Sequence, residues 1–132
     1  MVDGLTTARI KEFKQLLEKR REDLLEAIRN ELLQSDNEQY LELAGRVHDV
    51  ADEGSADLLA DLSLASIDQH IEEIRDIEAA LLRIASLSYG ICEDCSTPIS
   101  VERLKAYPTA RRCHQCQQVY ERTHVQKGQP RL

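Results

Sequence analysis

Hydrophobic side chains recur at helical spacing along the first part of the chain. Between Thr6 and about Gln34, the steps from one apolar residue to the next are mostly three, four or seven positions, which predicts one stripe of an amphipathic helix. Thr6 or Thr7 is suited to cap the start of this helix, and Ser35-Asp36-Asn37 favours a break after it. The stripe consists of Ile10, Phe13, Leu17, Leu24, Ile28 and Leu32.

A second stripe of the same kind follows a polar interval. A short segment from Glu38 to about His48 leads to an expected break at Gly54-Ser55, and a second long helix is predicted from about Ser55 to Ser88. Tyr89-Gly90 is expected to end that helix, because glycine readily adopts the left-handed conformation found at helix C-termini. The second stripe consists of Ile67, Ile71, Ile74, Ile77, Leu81 and Ile84.

These two helices predict an antiparallel hairpin, or coiled coil. Each helix is apolar along one stripe only, so each stripe is the natural burial surface of the other. The fold class is therefore expected to be mostly α-helical.

Composition and charge narrow the possible partners. The chain has 132 residues, no Trp and a single Phe, so a thick globular core is not expected. The net charge of −7 argues against nucleic acid as the main partner, because phosphate binding requires an excess of Lys and Arg. Residues 35–62 are strongly acidic, whereas residues 103–131 are strongly basic. This segregation predicts a polarised binding surface.

The four cysteines form two pairs, Cys92-x-x-Cys95 and Cys113-x-x-Cys116. Paired C-x-x-C turns predict one structural Zn²⁺ held by four thiolates, a closed shell with no open position to activate water. Two disulfides are the alternative, with three possible connectivities. No apolar leader follows Met1, and no apolar run has the length of a membrane span, so a reducing cytoplasmic location is expected. His114 is a reserve ligand if a cysteine fails.

The metal-binding pattern sets the expected domain boundaries. Residues 1–88 should form the helical hairpin, with an acidic tip near residues 45–55. Residues 89–125 should form the four-cysteine zinc finger, closed by a short terminal helix from about Cys113 to Val125. Residues 126–132 are expected to be a flexible tail. The chain contains no nucleophile–base motif, no phosphate-binding glycine loop and no H-E-x-x-H pattern, so we do not expect an enzyme.

The cysteines belong to a longer pattern. It runs from Tyr89-Gly90-Ile91-Cys92-Glu93-Asp94-Cys95 through Ile99, Arg103-Leu104, Ala106 and Pro108-Thr109-Ala110 to Cys113-x-x-Cys116. This pattern resembles the DksA/TraR zinc-finger family, bacterial transcription factors that bind RNA polymerase without binding DNA. In that family a helical hairpin projects into the secondary channel of the polymerase, and the finger supports its base. The resemblance implies a cytoplasmic, monomeric protein whose partner is RNA polymerase, with no sequence-specific DNA binding.

The predicted tip adds to the resemblance. Family members that regulate initiation carry Asp-x-x-Asp-x-Ala at the turn of the hairpin, and here Asp49, Asp52 and Gly54 occupy the three positions. The resemblance implies that both aspartates face the polymerase active site, where they alter open promoter complexes, while Gly54 replaces the alanine. Taken without the zinc finger, Asp49 and Asp52 favour the simpler role of capping the second long helix, since acids are preferred at helix N-termini.

Other family positions differ in charge. The positions that contact the alarmone guanosine tetraphosphate in well-known relatives fall on Asp76, Tyr107 and Gln117, none of which is a cation. A multiply charged phosphate ligand requires cations, so weak or absent alarmone dependence is expected. Arg103 matches a basic position and is a candidate polymerase anchor.

Two other functions remain open from the sequence. One is a zinc-stabilised helical adaptor that binds another protein through its stripe or tip. The other is a nucleic-acid-binding zinc finger that uses the basic region, although aromatic stacking residues there are few.

Overall fold

The computed structural model describes residues 5–52 and 65–124. Within these ranges the chain forms helices joined by turns, and its only extended pairing is an isolated antiparallel bridge between Ile91 and Pro98. No helix in the described residues is long and apolar enough to cross a membrane. The helices are α1 (Thr7–Leu33), α2 (Glu38–Ala44), α3 (Val47–Asp52), α4 (Ala65–Ala85), α5 (Val101–Ala106) and α6 (His114–His124).

The chain divides into two compact units. The helical unit comprises Gln15–Glu78, and the finger unit comprises Met1–Lys14 together with Ala79–Leu132. The long helices α1 and α4 each contribute to both units, so the boundary between the units falls inside these helices rather than at a loop.

The long helices form the predicted antiparallel hairpin. Thr6 caps α1, because its Oγ1 accepts a hydrogen bond from the backbone N–H of Arg9 at 3.1 Å. In the helical unit the two helices are linked by ion pairs, such as Arg20 Nε with Glu73 Oε2 at 2.7 Å. The predicted stripes are buried at Phe13, Leu17, Leu24, Ile28, Leu32, Ile67, Ile71, Ile74 and Ile77, while Ile10, Leu81 and Ile84 are half-buried.

The polar interval after α1 contains two helices, where the sequence predicted one short segment. Asn37 caps α2, since its Oδ1 accepts from the backbone N–H of Gln39 at 2.8 Å. Gly45 ends α2 in a right-handed conformation, and α3 follows almost at once. The predicted break at Gly54-Ser55, the predicted start of the second long helix at Ser55, and the predicted tail at residues 126–132 all lie outside the described residues.

The end of α4 differs from the prediction. The backbone N–H of Ser88 bonds to Arg83 O at 2.9 Å and that of Leu87 to Ile84 O at 3.2 Å, a pair of bonds that closes a helix end. Leu87 therefore takes the left-handed position, with φ of 64°. Gly90 also has a positive φ, 84°, but it serves the turn into the finger, where an added Cβ would overlap Leu5. The expectation that Gly90 ends the helix was wrong, because the backbone bonds close it three residues earlier.

The finger unit has a small core of its own. The Phe13 and Tyr89 rings lie 5.7 Å apart, and Tyr89 donates from its hydroxyl to Pro108 O at 2.7 Å. Leu104 of α5 is fully buried, and Ser100 caps this short helix by accepting from the N–H of Arg103. The sequence analysis did not predict α5. This core fixes the segment that carries both cysteine pairs.

Candidate metal centre and acidic segment

The first cysteine pair lies in a tight turn stabilised by backbone hydrogen bonds. Cys92 N donates to Thr97 O at 2.8 Å, and Ser96 N donates back to Cys92 O at 2.9 Å. Ser96 takes a positive φ of 64° so that the chain reverses here. Within the turn, Cys95 N lies 3.5 Å from Cys92 Sγ and donates to it. The turn thus presents two sulfurs on one side of the backbone.

The second pair uses the start of a helix. Cys113 directly precedes α6, and Cys116 lies in its first turn. Cys116 N donates to Cys113 Sγ at 3.5 Å, the same contact as in the first pair. Glu93 N also donates to Arg111 O at 2.9 Å, which joins the segments that carry the two pairs.

The four sulfurs converge on one point. All four cysteines are free, and their Sγ atoms lie within 4.8 Å of one another. Cys95 Sγ and Cys113 Sγ are 3.8 Å apart. A tetrahedral zinc with Zn–S bonds of about 2.3 Å has sulfur–sulfur edges of about 3.8 Å, so the donor set and its size both fit Zn²⁺. Convergence of all four sulfurs on one point favours a metal over the two disulfides left open by the sequence.

The acidities of the thiols are consistent with metal ligation. Burial opposes ionisation of Cys92, but backbone N–H donors, Cys113 foremost, outweigh it and lower the pKa of this thiol to about 6. The hydroxyl of Thr97, 2.9 Å from Cys95 Sγ, lowers the pKa of Cys95. The neighbouring sulfurs of Cys113 and Cys95 raise the pKa of Cys116. Sulfurs this close retain a proton unless a cation neutralises them, and Zn²⁺ supplies that charge.

The chemistry of this centre is structural. Four thiolates complete a tetrahedral zinc shell, so the bound metal would hold the two turns together and has no position for substrate or water. His114, the predicted alternative ligand, is exposed and does not belong to the cluster of four cysteines. One structural Zn²⁺ is the cofactor of this protein.

An arginine reinforces the centre. Arg112 Nη2 lies 3.0 Å from Glu93 Oε2, and its Nε lies 2.8 Å from Asp94 Oδ2. Its guanidinium also stacks over the Tyr120 ring at 3.9 Å. These contacts connect the residues beside the first cysteine pair with those around the second.

The candidate anchor Arg103 takes part in the same network. Its Nε donates to Arg112 O at 2.9 Å, and its guanidinium lies 5.5 Å from the centre of the Tyr107 ring. Arg103 therefore has a structural role within the finger whether or not it also binds a partner.

The acidic residues of the predicted tip lie on α3. Asp49 and Asp52 are both exposed and belong to the helix rather than to a turn, whereas Gly54 lies outside the described residues. Asp52 Oδ1 accepts from Arg21 Nη2 at 3.3 Å, and the same guanidinium pairs with Glu78. Val47, Val50 and Ala51, on the other face of α3, are buried.

A histidine and two glutamates also approach one another in the helical unit. His48 Nε2 lies 2.7 Å from Glu22 Oε1, and Glu26 completes a group whose ligand atoms lie within 4.8 Å. Glu26 also pairs with Arg29 at 3.1 Å. Glu22 is exposed, Glu26 and His48 are half-buried, and the contacts of the three pair them with one another and with Arg29.

The three positions that the family resemblance relates to the alarmone are spread over the chain. Asp76 is exposed on α4 in the helical unit, while Tyr107 and Gln117 belong to the finger unit. Gln117 Nε2 donates to Glu121 at 3.0 Å.

Sequence reasoning missed several functional residues of the finger. Arg112 and Thr97 support the metal centre through side-chain contacts, and the Tyr89 hydroxyl, whose residue was in the sequence pattern without a role, donates to Pro108 O in the finger core. The two acids that flank Cys95 on its N-terminal side, Glu93 and Asp94, were a signal that a cation would be needed nearby. The cation that pairs with these acids, Arg112, has no signal in the sequence, because the contact forms only when the two cysteine-bearing segments fold together.

Comparison with known proteins agrees with this architecture. Residues 87–122 match the prokaryotic dksA/traR C4-type zinc finger family. The chain is 34% identical over 112 residues to the RNA polymerase-binding transcription factor DksA of Caulobacter vibrioides, covering 83% of this chain and 74% of that protein. It is 27% identical over 117 residues to the Salmonella typhimurium protein of the same name, covering 89% and 74%.

A solved structure shows the same fold. Transcription factor DksA2 from Pseudomonas aeruginosa superposes with a TM-score of 0.61 at 25% identity, over 90% of this chain and 88% of that one. The match extends well beyond the finger and includes the helices. With the four-sulfur centre and the sequence match over most of its length, the chain belongs to the DksA/TraR family.

Proposed function

We propose that this protein is a bacterial transcription regulator that binds RNA polymerase directly and inserts its acidic segment into the secondary channel, where it alters open promoter complexes. The observation that carries the proposal is the presence of two exposed aspartates, Asp49 and Asp52, in a chain similar over most of its length to RNA polymerase-binding factors. Carboxylates in such a channel accept hydrogen bonds from cationic side chains or approach the catalytic magnesium.

The roles of the two regions differ in this proposal. The zinc centre is structural, and Arg103 anchors the finger against the polymerase. The aspartates change the behaviour of the polymerase rather than its affinity for this protein, because exposed charges contribute little net binding energy. The protein acts as a cytoplasmic monomer without catalytic activity of its own.

Weak alarmone dependence follows from side-chain charge. Asp76, Tyr107 and Gln117 offer no positive charge to a tetraphosphate, and a carboxylate at Asp76 would repel one. Transcription with the protein should therefore change little when guanosine tetraphosphate is added. A strong enhancement by the alarmone would contradict this part of the proposal.

The nucleic-acid alternative has less support. Arg112, one of the bases in the basic region, makes contacts inside the finger that occupy its guanidinium group. A gel shift whose affinity falls steeply with salt would revive this alternative.

Binding is the first experiment. Zinc-loaded protein is titrated against core RNA polymerase, with a known secondary-channel factor as competitor. Micromolar or tighter binding that the competitor displaces is the expected result. If folded, zinc-loaded protein does not bind RNA polymerase, the proposed function is wrong, and the adaptor hypothesis, with another protein as partner, replaces it.

The role of the aspartates is tested separately. Asp49→Asn and Asp52→Asn should abolish the effect on open promoter complexes in a transcription assay while leaving polymerase affinity largely unchanged. Asp36→Asn, an exposed change between α1 and α2, is the matched control and should retain activity. A parallel loss of affinity and activity in the two α3 variants would argue against an active-site-facing role.

A further inference from the structure

Helices α2 and α3 form an arm, residues 38–52, that is held against α1. Val47, Val50 and Ala51 on α3 are 0 to 3% exposed, so one face of α3 is buried within the helical unit. On either side of that face, His48 contacts Glu22 and Asp52 contacts Arg21. The arm therefore lies alongside the middle of α1.

This position places the acidic segment away from the end of α1. Arg21, the partner of Asp52, precedes the last residue of α1, Leu33, by 12 positions. At about 1.5 Å per residue, Asp52 lies level with a point about 18 Å short of that helix end. A segment that enters a narrow channel must lie at the leading end of the helix that supports it. In this structure the acidic segment lies instead along the side of α1.

We propose that the arm has two positions, the seated one observed here and an extended one, and that the extended position is the form active on RNA polymerase. In the extended position α1 continues through α2 into α3, and Asp49 and Asp52 move beyond Leu33. This regulation rests on the proposed function and concerns the availability of the same acidic segment.

The chain between α1 and the arm permits helix to continue from one to the other. Residues 34–37 contain neither proline nor glycine, so each of them can take helical dihedral angles. Gly45, between α2 and α3, is already right-handed, with φ of −71° and ψ of −9°. If helix replaces the turn at residues 34–37, Asp52 would lie about 28 Å past Leu33.

The seated position of the arm is stabilised mainly by apolar packing. The side chains of Asp52 and Glu22 remain 66% and 59% exposed, and ion pairs this exposed contribute little. Val47 and Val50 are almost completely buried, and their transfer to water is the larger barrier to extension. A polymerase that binds the extended arm better than the seated one would favour the extended position, as a ligand favours the state it binds better.

A photo-cross-link between the arm and α1 tests whether the arm must leave its seated position for the protein to act on transcription. His48→benzoylphenylalanine places a photoreactive group beside α1, and irradiation of the free, zinc-loaded protein should give an intramolecular link, which peptide mass spectrometry identifies. Protein irradiated before mixing should lose its effect on open promoter complexes at least about tenfold, while the same variant without irradiation retains it. Irradiated wild-type protein, with its zinc content measured, controls for light damage.

The outcomes separate this proposal from the proposed function. A linked protein that remains as active as the unlinked variant would overturn the two-position arm and leave the proposed function intact. Wild-type protein without any effect on transcription would overturn the proposed function, and this regulation with it.

A second variant tests the seat without a cross-link. Val50→Ala keeps α3 helical but removes two buried methyl groups, which should shift the equilibrium towards extension by roughly tenfold. The concentration needed for half-maximal effect on transcription should then fall. Leu41→Ala, on an exposed position of α2, is the matched control and should behave as wild type. Equal or weaker activity of a folded Val50→Ala protein would contradict the proposal.

Discussion

The helical unit and the finger unit are stabilised in different ways. The helical unit buries long aliphatic side chains that recur along α1 and α4, with Leu17, Ile28, Ile71 and Ile74 all at most 1% exposed. The finger has no such repeat, and its buried side chains outside α1 and α4, among the described residues, are Leu5, Tyr89, Cys92, Ile99, Leu104 and Ala110. The comparison shows that a repeated apolar stripe sustains one region, whereas the other requires a metal and specific hydrogen bonds.

Because the two units are stabilised differently, each should be sensitive to a perturbation that leaves the other unchanged. A small region with few buried apolar groups gains little stability from buried apolar area alone, so removal of its metal should unfold it. A hairpin held by stripes should respond to the loss of any central aliphatic side chain and be indifferent to chelators.

Loss of the metal should have the largest effect. Cys92→Ser, or chelation of the wild type, removes a tetrahedral ligand set whose apparent binding free energy in small zinc domains is about 10 to 16 kcal/mol. We expect the finger to lose its ordered structure, with zinc content falling below one per chain. Dispersion of backbone NMR signals, assigned by unit, measures this.

The helical unit provides the internal control for that experiment. Signals from residues 15–33 and 65–78 should remain in place after chelation, because they depend on the aliphatic stripes. Ser88→Ala, which removes an exposed hydroxyl near the finger, should leave zinc content unchanged. If both units unfold together on chelation, the contrast between them is wrong.

A core truncation should have the converse effect. Ile74→Ala empties a fully buried position of α4 and should lower the free energy of unfolding by about 2 to 5 kcal/mol. Urea denaturation followed by circular dichroism measures the loss, while bound zinc, measured in native conditions, should stay at one per chain. Leu33→Ala, at a half-exposed position of α1, should change stability by less than about 0.5 kcal/mol.

Leu87 and Gly90, two of the left-handed residues that follow α4, should respond in opposite directions. Leu87 has φ of 64° and its side chain is 91% exposed, so Leu87→Gly relieves backbone strain and should stabilise the protein by about 1 kcal/mol. Gly90→Ala meets Leu5 and a disfavoured φ, and should destabilise by about 2 kcal/mol. Thermal unfolding of the zinc-loaded variants compares them. A stabilising Gly90→Ala would mean that the turn into the finger is not fixed as described.

The helical unit was largely predictable because its determinants are local. The spacing of Leu17, Ile28, Ile71 and Ile74 fixes both the helical period and the buried face. The two short helices of the arm were less predictable, since a helix of six or seven residues depends on what it packs against. The sequence pattern placed Asp49 and Asp52 at the tip of a hairpin, and the position of α3 beside Arg21 has no signature in the pattern.

In the finger, the ligands were predictable and their supports were not. The spacing of the four cysteines identifies the metal directly, since each C-x-x-C pair is a local turn. Arg112 reaches Asp94 and Glu93 across 18 or more positions, so this contact exists only after folding. Gly90 shows the limit of local rules, because a left-handed glycine was expected and the helix was nevertheless closed by Leu87.

The smallest predicted effect concerns the phenol that joins Tyr89 to Pro108. Burial raises the pKa of Tyr89 to about 12, and the positive charge of Arg83 opposes this only in part. The folded state favours the neutral phenol, so its contribution to stability is complete below the ordinary tyrosine pKa of about 10. It is lost progressively as the pH rises from about 10 towards 12, because the unfolded chain ionises first.

Comparison of wild type with Tyr89→Phe isolates this contribution. Near neutral pH the variant should be less stable by about 1 kcal/mol, the value of one hydrogen bond. That difference should shrink above about pH 10, since only the wild type can ionise at this position. Urea denaturation of the zinc-loaded protein measures both, and Tyr107→Phe, at a position 59% exposed, is the control for loss of a surface phenol near neutral pH. A constant difference across the pH range would mean that the Tyr89 hydroxyl is solvated, and that the finger relies on its metal even more than its hydrogen bonds imply.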